Sequence, residues 1–73
     1  MSAENLSEFV KSKRKYLGYT QVQLAMRAGV GLRFLRELEQ GKKSLQMDKV
    51  NKVLYLFGHE LNPVKIVRSD SDD

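Results

Sequence analysis

Lysine and arginine, with a few amide and hydroxyl side chains, are the groups in this 73-residue chain best suited to chemistry, and that chemistry is anion recognition. Nine of the thirteen Lys and Arg residues fall between positions 11 and 43, against only Glu37 and Glu39, so this stretch carries +7 while the whole chain carries +4. Residues 1–10 carry −2, residues 44–68 carry +2 and the tail 69–73 carries −3. Phosphate affinity comes from clustered cations, so a basic middle between acidic ends suits a polyanion-binding surface. A merely solvated basic face accounts for the charge equally well. Catalytic chemistry lacks its residues. There is no Ser/His/Asp arrangement, and the single histidine, His59, has no Cys, Asp or second His at ligand spacing. Gly29-Val30-Gly31 is too short to be a nucleotide loop and opens no βαβ unit. Neither an enzyme, a cofactor nor a metal site is expected, and His59 reads as a surface residue.

The elements that position these cations must fit into one small domain, near the lower size at which a chain folds alone. Without cysteine there are no disulfides or thiolate metal sites, which fits a reducing cytoplasm. The longest apolar run covers 53–57, far short of the roughly 20 residues a membrane span needs. The first ten residues hold Glu4 and Glu8 and no basic segment, so no signal peptide is expected. At this size a single core supplies about 3–5 kcal/mol, so burial shared with a second copy is an option.

Apolar residues at 6, 9, 10, 16 and 17 predict a first helix from Asn5 to Leu17, with Leu6, Val10 and Leu17 in one stripe and Gly18 just past its end. Thr20-Gln21-Val22-Gln23 is a capping box, with Tyr19 and Leu24 placed for a hydrophobic staple, and a short second helix runs to Gly29. Leu32, Leu35 and Leu38 mark a third helix between Gly31, a weak N-cap, and Gly41. Asp48 is placed to cap a fourth, with apolar positions 50, 53, 54 and 57 and Gly58 closing it. Val64 and Ile66 alternate with Lys65 after Pro63, so 64–67 reads as a short strand. The polar, acidic tail 69–73 reads as disordered.

Two short helices joined by a tight glycine turn within a basic flank are the ingredients of a helix-turn-helix. Leu24, Ala28, Val30, Leu35 and Leu38 would form its shared core, with Ala25 small where the two helices cross, turning Arg33, Arg36, Glu37 and Gln40 outward, to solvent or to a groove. The run 10–21 (VKSKRKYLGYTQ), then Leu24-Ala25, Ala28-Gly29-Val30 and Glu39-Gln40-Gly41-Lys42, resembles the phage repressor/Cro-type (Xre-like) helix-turn-helix family over about residues 5–62. The run 32–42 (LRFLRELEQGK) further resembles Hip-type antitoxins of bacterial toxin–antitoxin operons.

The resemblance implies a mostly α-helical, four- to five-helix, dimeric operator-binding protein, with a Hip-type kinase toxin as a possible partner. By the same resemblance Gln21 touches a phosphate and braces the recognition helix, and Arg14 and Glu39 form a structural ion pair. An amide at a helix N-terminus can donate to a phosphate on physical grounds too. As base-reading candidates, Arg33 and Arg36 can meet guanine O6 and N7, and Glu37 can accept from cytosine N4. Leu32 would touch a thymine methyl or cover the core edge, and Phe34 would pack in the core or against a partner. Lys13, Lys42 and Lys43 fit phosphate clamps. Relatives commonly carry Ser or Thr where this chain has Gly31, which leaves the amides of 32–34 as the anion site.

The expected architecture is an all-α domain over 1–68 with a C-terminal dimerisation strand at 64–67, pairing Val64 and Ile66 with a second copy, and a tail at 69–73. The expected function is a cytoplasmic, sequence-specific repressor on a palindromic double-stranded operator, nucleoid-associated when bound to DNA and, as the resemblance implies, the antitoxin of a Hip-type toxin–antitoxin operon that it autoregulates while binding a kinase toxin. Its alternatives are a stand-alone phage-type repressor and an interaction module that mainly neutralises a protein partner.

Overall fold

The computed structural model describes residues 5–65 and folds them into four helices: α1 (Leu6–Tyr16), α2 (Gln21–Ala28), α3 (Leu32–Glu39) and α4 (Met47–Tyr55). Each helix begins and ends for a local reason. Asn5 caps α1, its Oδ1 accepting from the Glu8 N–H at 2.9 Å and from the Ser7 hydroxyl at 2.8 Å. The capping box of α2 is complete: Gln23 N–H donates to Thr20 Oγ1 at 3.1 Å, and the Thr20 N–H donates to Gln23 Oε1 at 2.8 Å. Gly29 ends α2 at φ +75°, and the Val30 N–H closes back on the Ala25 carbonyl at 3.0 Å. That left-handed residue lets two helices of eight residues each follow one another with only Val30 and Gly31 between α2's cap and α3.

The core is made by one face of each helix. Val10 of α1, Leu24 and Ala25 of α2, Leu35 and Leu38 of α3, and Val50, Val53 and Leu54 of α4 are buried. Leu6, Phe9, Tyr19, Ala28, Val30, Phe34, Leu45 and Phe57 pack around them. Full burial of a Leu or Val side chain stabilises by about 1.5–3 kcal/mol, and α3, which packs on both α1 and α2, contributes two of the largest such groups.

Three expectations need correction. Leu17 is 45% exposed instead of joining the α1 stripe; it is the cap residue after Tyr16, its N–H still closing on the Lys13 carbonyl at 3.0 Å. Gln46, not Asp48, occupies the N-cap of α4; the helix starts two residues earlier than a cap at Asp48 would give, at Met47, which puts the Asp48 carboxylate in the first turn near the positive end of the helix dipole. No strand is present among the described residues. Val64 and Lys65 have no regular structure, and Ile66, Val67 and the tail 69–73 lie outside the described residues. A single chain offers a lone strand no ladder partner for its N–H and C=O groups, so 64–65 stays irregular here.

Candidate nucleic-acid interface

The outward side of α3 carries the arginines. Arg33 has a side chain 93% exposed, and Arg36 is exposed one turn on. No side chain caps the start of α3, because Gly31 takes the N-cap position with none to offer. The amide N–H groups of the first turn therefore point out of the helix beside Arg33, where an anion would be favoured. A groove of about 400 Å³ opens here between the starts of α3 and α4, walled by Gly31, Arg33, Phe34 and Glu37 on one side and by Lys42, Ser44, Gln46 and Lys49 on the other. Lys49 belongs to this site and is absent from the sequence-based candidates. Its Nζ lies 6.0 Å from the Phe34 ring centroid. In the linear charge map it falls among the weakly basic residues after 43; only the return of the chain through 41–46 brings it to α3.

The other candidates divide by place. Glu37 is half-buried and flanked by two cations: its Oε2 is 3.5 Å from Arg33 Nε and its Oε1 accepts from Lys42 Nζ at 3.3 Å. Leu32 and Phe34 are half-buried at the core edge. Lys43 is exposed in the loop after α3. Lys13 lies over the Phe9 ring, 5.8 Å from its centroid, and that ring's other neighbours are Phe57 and His59. Its charge is thus tied to the α1 aromatic cluster and is not part of the groove wall. His59 is exposed, with Nδ1–H donating to the Phe57 carbonyl at 2.7 Å. Val64 is 81% exposed.

Behind the arginines stands one buried charged residue, Glu39, the last residue of α3. Arg14 reaches it from α1 with a two-pronged grip, Nε to Oε2 at 2.7 Å and Nη2 to Oε1 at 3.1 Å. The third guanidinium nitrogen, Nη1, donates to the Tyr19 carbonyl at 3.0 Å. Gln21 at the start of α2 adds a third donor to the carboxylate, Nε2 to Oε1 at 3.1 Å. One carboxylate thus fixes the end of α3 to α1 and to the beginning of α2. The Gln21 amide has two N–H bonds, and the Glu39 contact uses one, leaving the other for a second acceptor.

Two helices joined through Gly29, the second presenting arginines and anchored at its end, match a known pattern. A family profile described as helix-turn-helix covers residues 10–58. The chain belongs to the helix-turn-helix family. This bears out the resemblance to repressor/Cro-type proteins drawn from the sequence. Among curated proteins it is similar to the uncharacterized HTH-type transcriptional regulator y4mF of Sinorhizobium fredii, with 43% identity over 54 residues, 74% of this chain and 71% of the relative. Within the helix-turn-helix unit, α2 and α3 are its two helices, and Arg33, Arg36, Glu37 and Gly31 all lie on or at the head of the second.

Among the described residues no helix is long and apolar enough to cross a membrane.

Proposed function

We propose that this helix-turn-helix protein is a sequence-specific DNA-binding repressor that acts as a homodimer on a palindromic operator. One observation carries this reading: the exposed Arg33 and Arg36 stand on α3 beside an uncapped helix start. One phosphate would sit at the amides of 32–34 beside Lys49, with Lys43 and the free N–H of Gln21 as separate phosphate contacts away from the α3 start, while Arg33 and Arg36 reach base edges. The name of the Sinorhizobium relative, a transcriptional regulator, agrees with this reading.

For the dimer, the support is apolar surface with no cover in one chain. Met47, Tyr55, Leu56, Leu61 and Val64 are all exposed on α4 and the segment after it. A second copy related by a two-fold axis would cover them, with 64–67 of each chain paired antiparallel as the closing strand of a domain spanning 1–68. Two recognition helices would then stand about 34–36 Å apart, one turn of the duplex. The likeness of 32–42 to Hip-type antitoxins adds a finer reading, an autoregulating antitoxin that binds a kinase toxin. The exposed Tyr16, Val22 and Met26 on α1 and α2 offer apolar surface for such a protein contact.

Fluorescence anisotropy on a duplex taken from upstream of the protein's own gene tests the reading. Affinity in the nanomolar range with a steep fall in salt is expected. Arg33→Ala and Arg36→Ala should each lose about 1–3 kcal/mol and relax base preference. Binding that ignores salt, or none to such fragments, overturns it. A kinase-like reading frame next to the gene, whose product co-purifies with this chain, tests the antitoxin role.

A further inference from the structure

We infer that Glu37 is a positioning residue for Arg33 and that Lys42 acts through Glu37 to set base preference, not as a phosphate clamp. This rests on the DNA-binding reading above and deepens it. Three residues are involved, and the backbone brings them together. Gly41, at φ +86°, turns the chain at the end of α3 so that the Lys42 N–H donates back to the Glu37 carbonyl at 3.0 Å. The same turn places the Lys42 side chain over its own anchor residue, Nζ to Oε1 at 3.3 Å. The second carboxylate oxygen, Oε2, faces Arg33 Nε one helical turn earlier, at 3.5 Å.

The consequence for Arg33 is geometric. A carboxylate engaged at Nε leaves both terminal NH₂ groups of the guanidinium outward, and these are the two donors that can meet guanine O6 and N7 together. In the free protein the contact is weak, since Arg33 is almost fully solvated. Against a duplex, water is displaced and the local dielectric falls, so the same contact strengthens when Arg33 must choose a direction.

The consequence for charge is equally direct. A lone carboxylate on a recognition helix would repel the phosphates on both sides of the groove. With Lys42 and Arg33 on its two oxygens, the group of three carries a net +1 and Glu37 is held away from them. Lys42 spends its ammonium on Glu37, whereas Lys43 and Lys49 have no carboxylate partner among the described contacts.

A double-mutant cycle on operator binding by the full-length protein decides the matter, using Lys42→Ala, Glu37→Ala and the double variant. Both residues lie outside the core, so the fold survives, and circular dichroism of each variant checks this. If Lys42 works through Glu37, Lys42→Ala lowers operator affinity about tenfold in the wild-type background and less than twofold in the Glu37→Ala background. Glu37→Ala, Lys42→Ala and Arg33→Ala then flatten guanine preference at the same base pair, and Lys42→Arg keeps it. Equal losses in both backgrounds, uniform over all sequences and with a salt slope lower by about one, would make Lys42 a phosphate clamp and overturn the inference. A Glu37→Ala effect at a different base pair from Arg33→Ala also overturns it, by making Glu37 a base reader in its own right. Wild-type protein that binds no duplex at all fails the DNA-binding reading itself, an outcome distinct from an additive cycle.

Discussion

Breaking the Arg14–Glu39 pair on one side should damage the domain far more than replacing it on both sides. The pair is nearly dry, with side chains 14% and 2% exposed. Glu39→Leu strands the Arg14 guanidinium with a single backbone acceptor, the Tyr19 carbonyl, and leaves the Gln21 amide without its carboxylate. Removing one partner of a buried pair destabilises by about 3–5 kcal/mol. Against that, a single core in a chain of 73 residues supplies about 3–5 kcal/mol. Glu39→Leu should therefore take away a large share of the stability, and at about 4–8 °C per kcal/mol lower Tm by at least about 12 °C. Arg14→Met alone should behave similarly, because it leaves Glu39 charged and buried with one amide donor. Arg14→Met with Glu39→Leu removes both charges and refills the space with apolar volume, so the double variant should recover most of the loss. Urea unfolding followed by circular dichroism measures the cycle, with Glu39→Gln, which keeps the volume and one acceptor oxygen, as a milder probe should Glu39→Leu prove too unstable. A coupling below about 0.5 kcal/mol, with the two single losses simply adding, would refute the idea that this pair acts as a buried unit.

Gly31→Ser should raise stability by a few tenths of a kcal/mol, since a hydroxyl would cap α3 and nothing lies within 4 Å of a Cβ at this position; thermal denaturation reads the shift. Gly29→Ala should do the reverse despite the open space around it, because φ +75° costs an L-residue about 1–2 kcal/mol. Deleting residues 63–73 should convert a dimer to a monomer by analytical ultracentrifugation and lower operator affinity by orders of magnitude; a truncated protein that stays dimeric would move the interface onto α4.

Much of the fold was legible because local chemistry and packing agree. Thr20 and Gln23 announce the start of α2, and the glycines at 18, 29, 41 and 58 each follow the last apolar position of a helix and adopt positive φ. Where two local signals competed, tertiary context chose. Asp48 is the better capping residue by type, yet α4 begins at Met47 with Gln46 at its cap, in the register that buries Val50, Val53 and Leu54. The site was legible in its arginines and less so in its surroundings. Residue type and spacing place Arg33, Arg36 and Glu37 on one helix, but which cations end up beside them depends on how the chain returns after Gly41. That return brings Lys49 and Lys42 to α3, and the aromatic packing of α1 holds Lys13 at Phe9.

The two ends of α3 are built for opposite purposes, and the contrast explains why a helix of only eight residues can serve as a reading head. Its C-terminal end is over-determined: Glu39 is held by three side-chain hydrogen bonds from two other helices, and Gly41 folds Lys42 back onto Glu37. So short a helix is unstable by itself in water, so this end and the buried Leu35 and Leu38 must supply its order. Its N-terminal end is left unfinished, with no capping side chain and with amides facing a basic groove. A Ser or Thr hydroxyl at 31 would satisfy one of those amides within the protein. Glycine leaves it to be satisfied by whatever anion arrives, so the helix gives up a few tenths of a kcal/mol of its own stability and keeps an extra backbone donor for the ligand. Rigidity from one end and unmet hydrogen-bonding capacity at the other are together what a preorganised anion-reading surface requires.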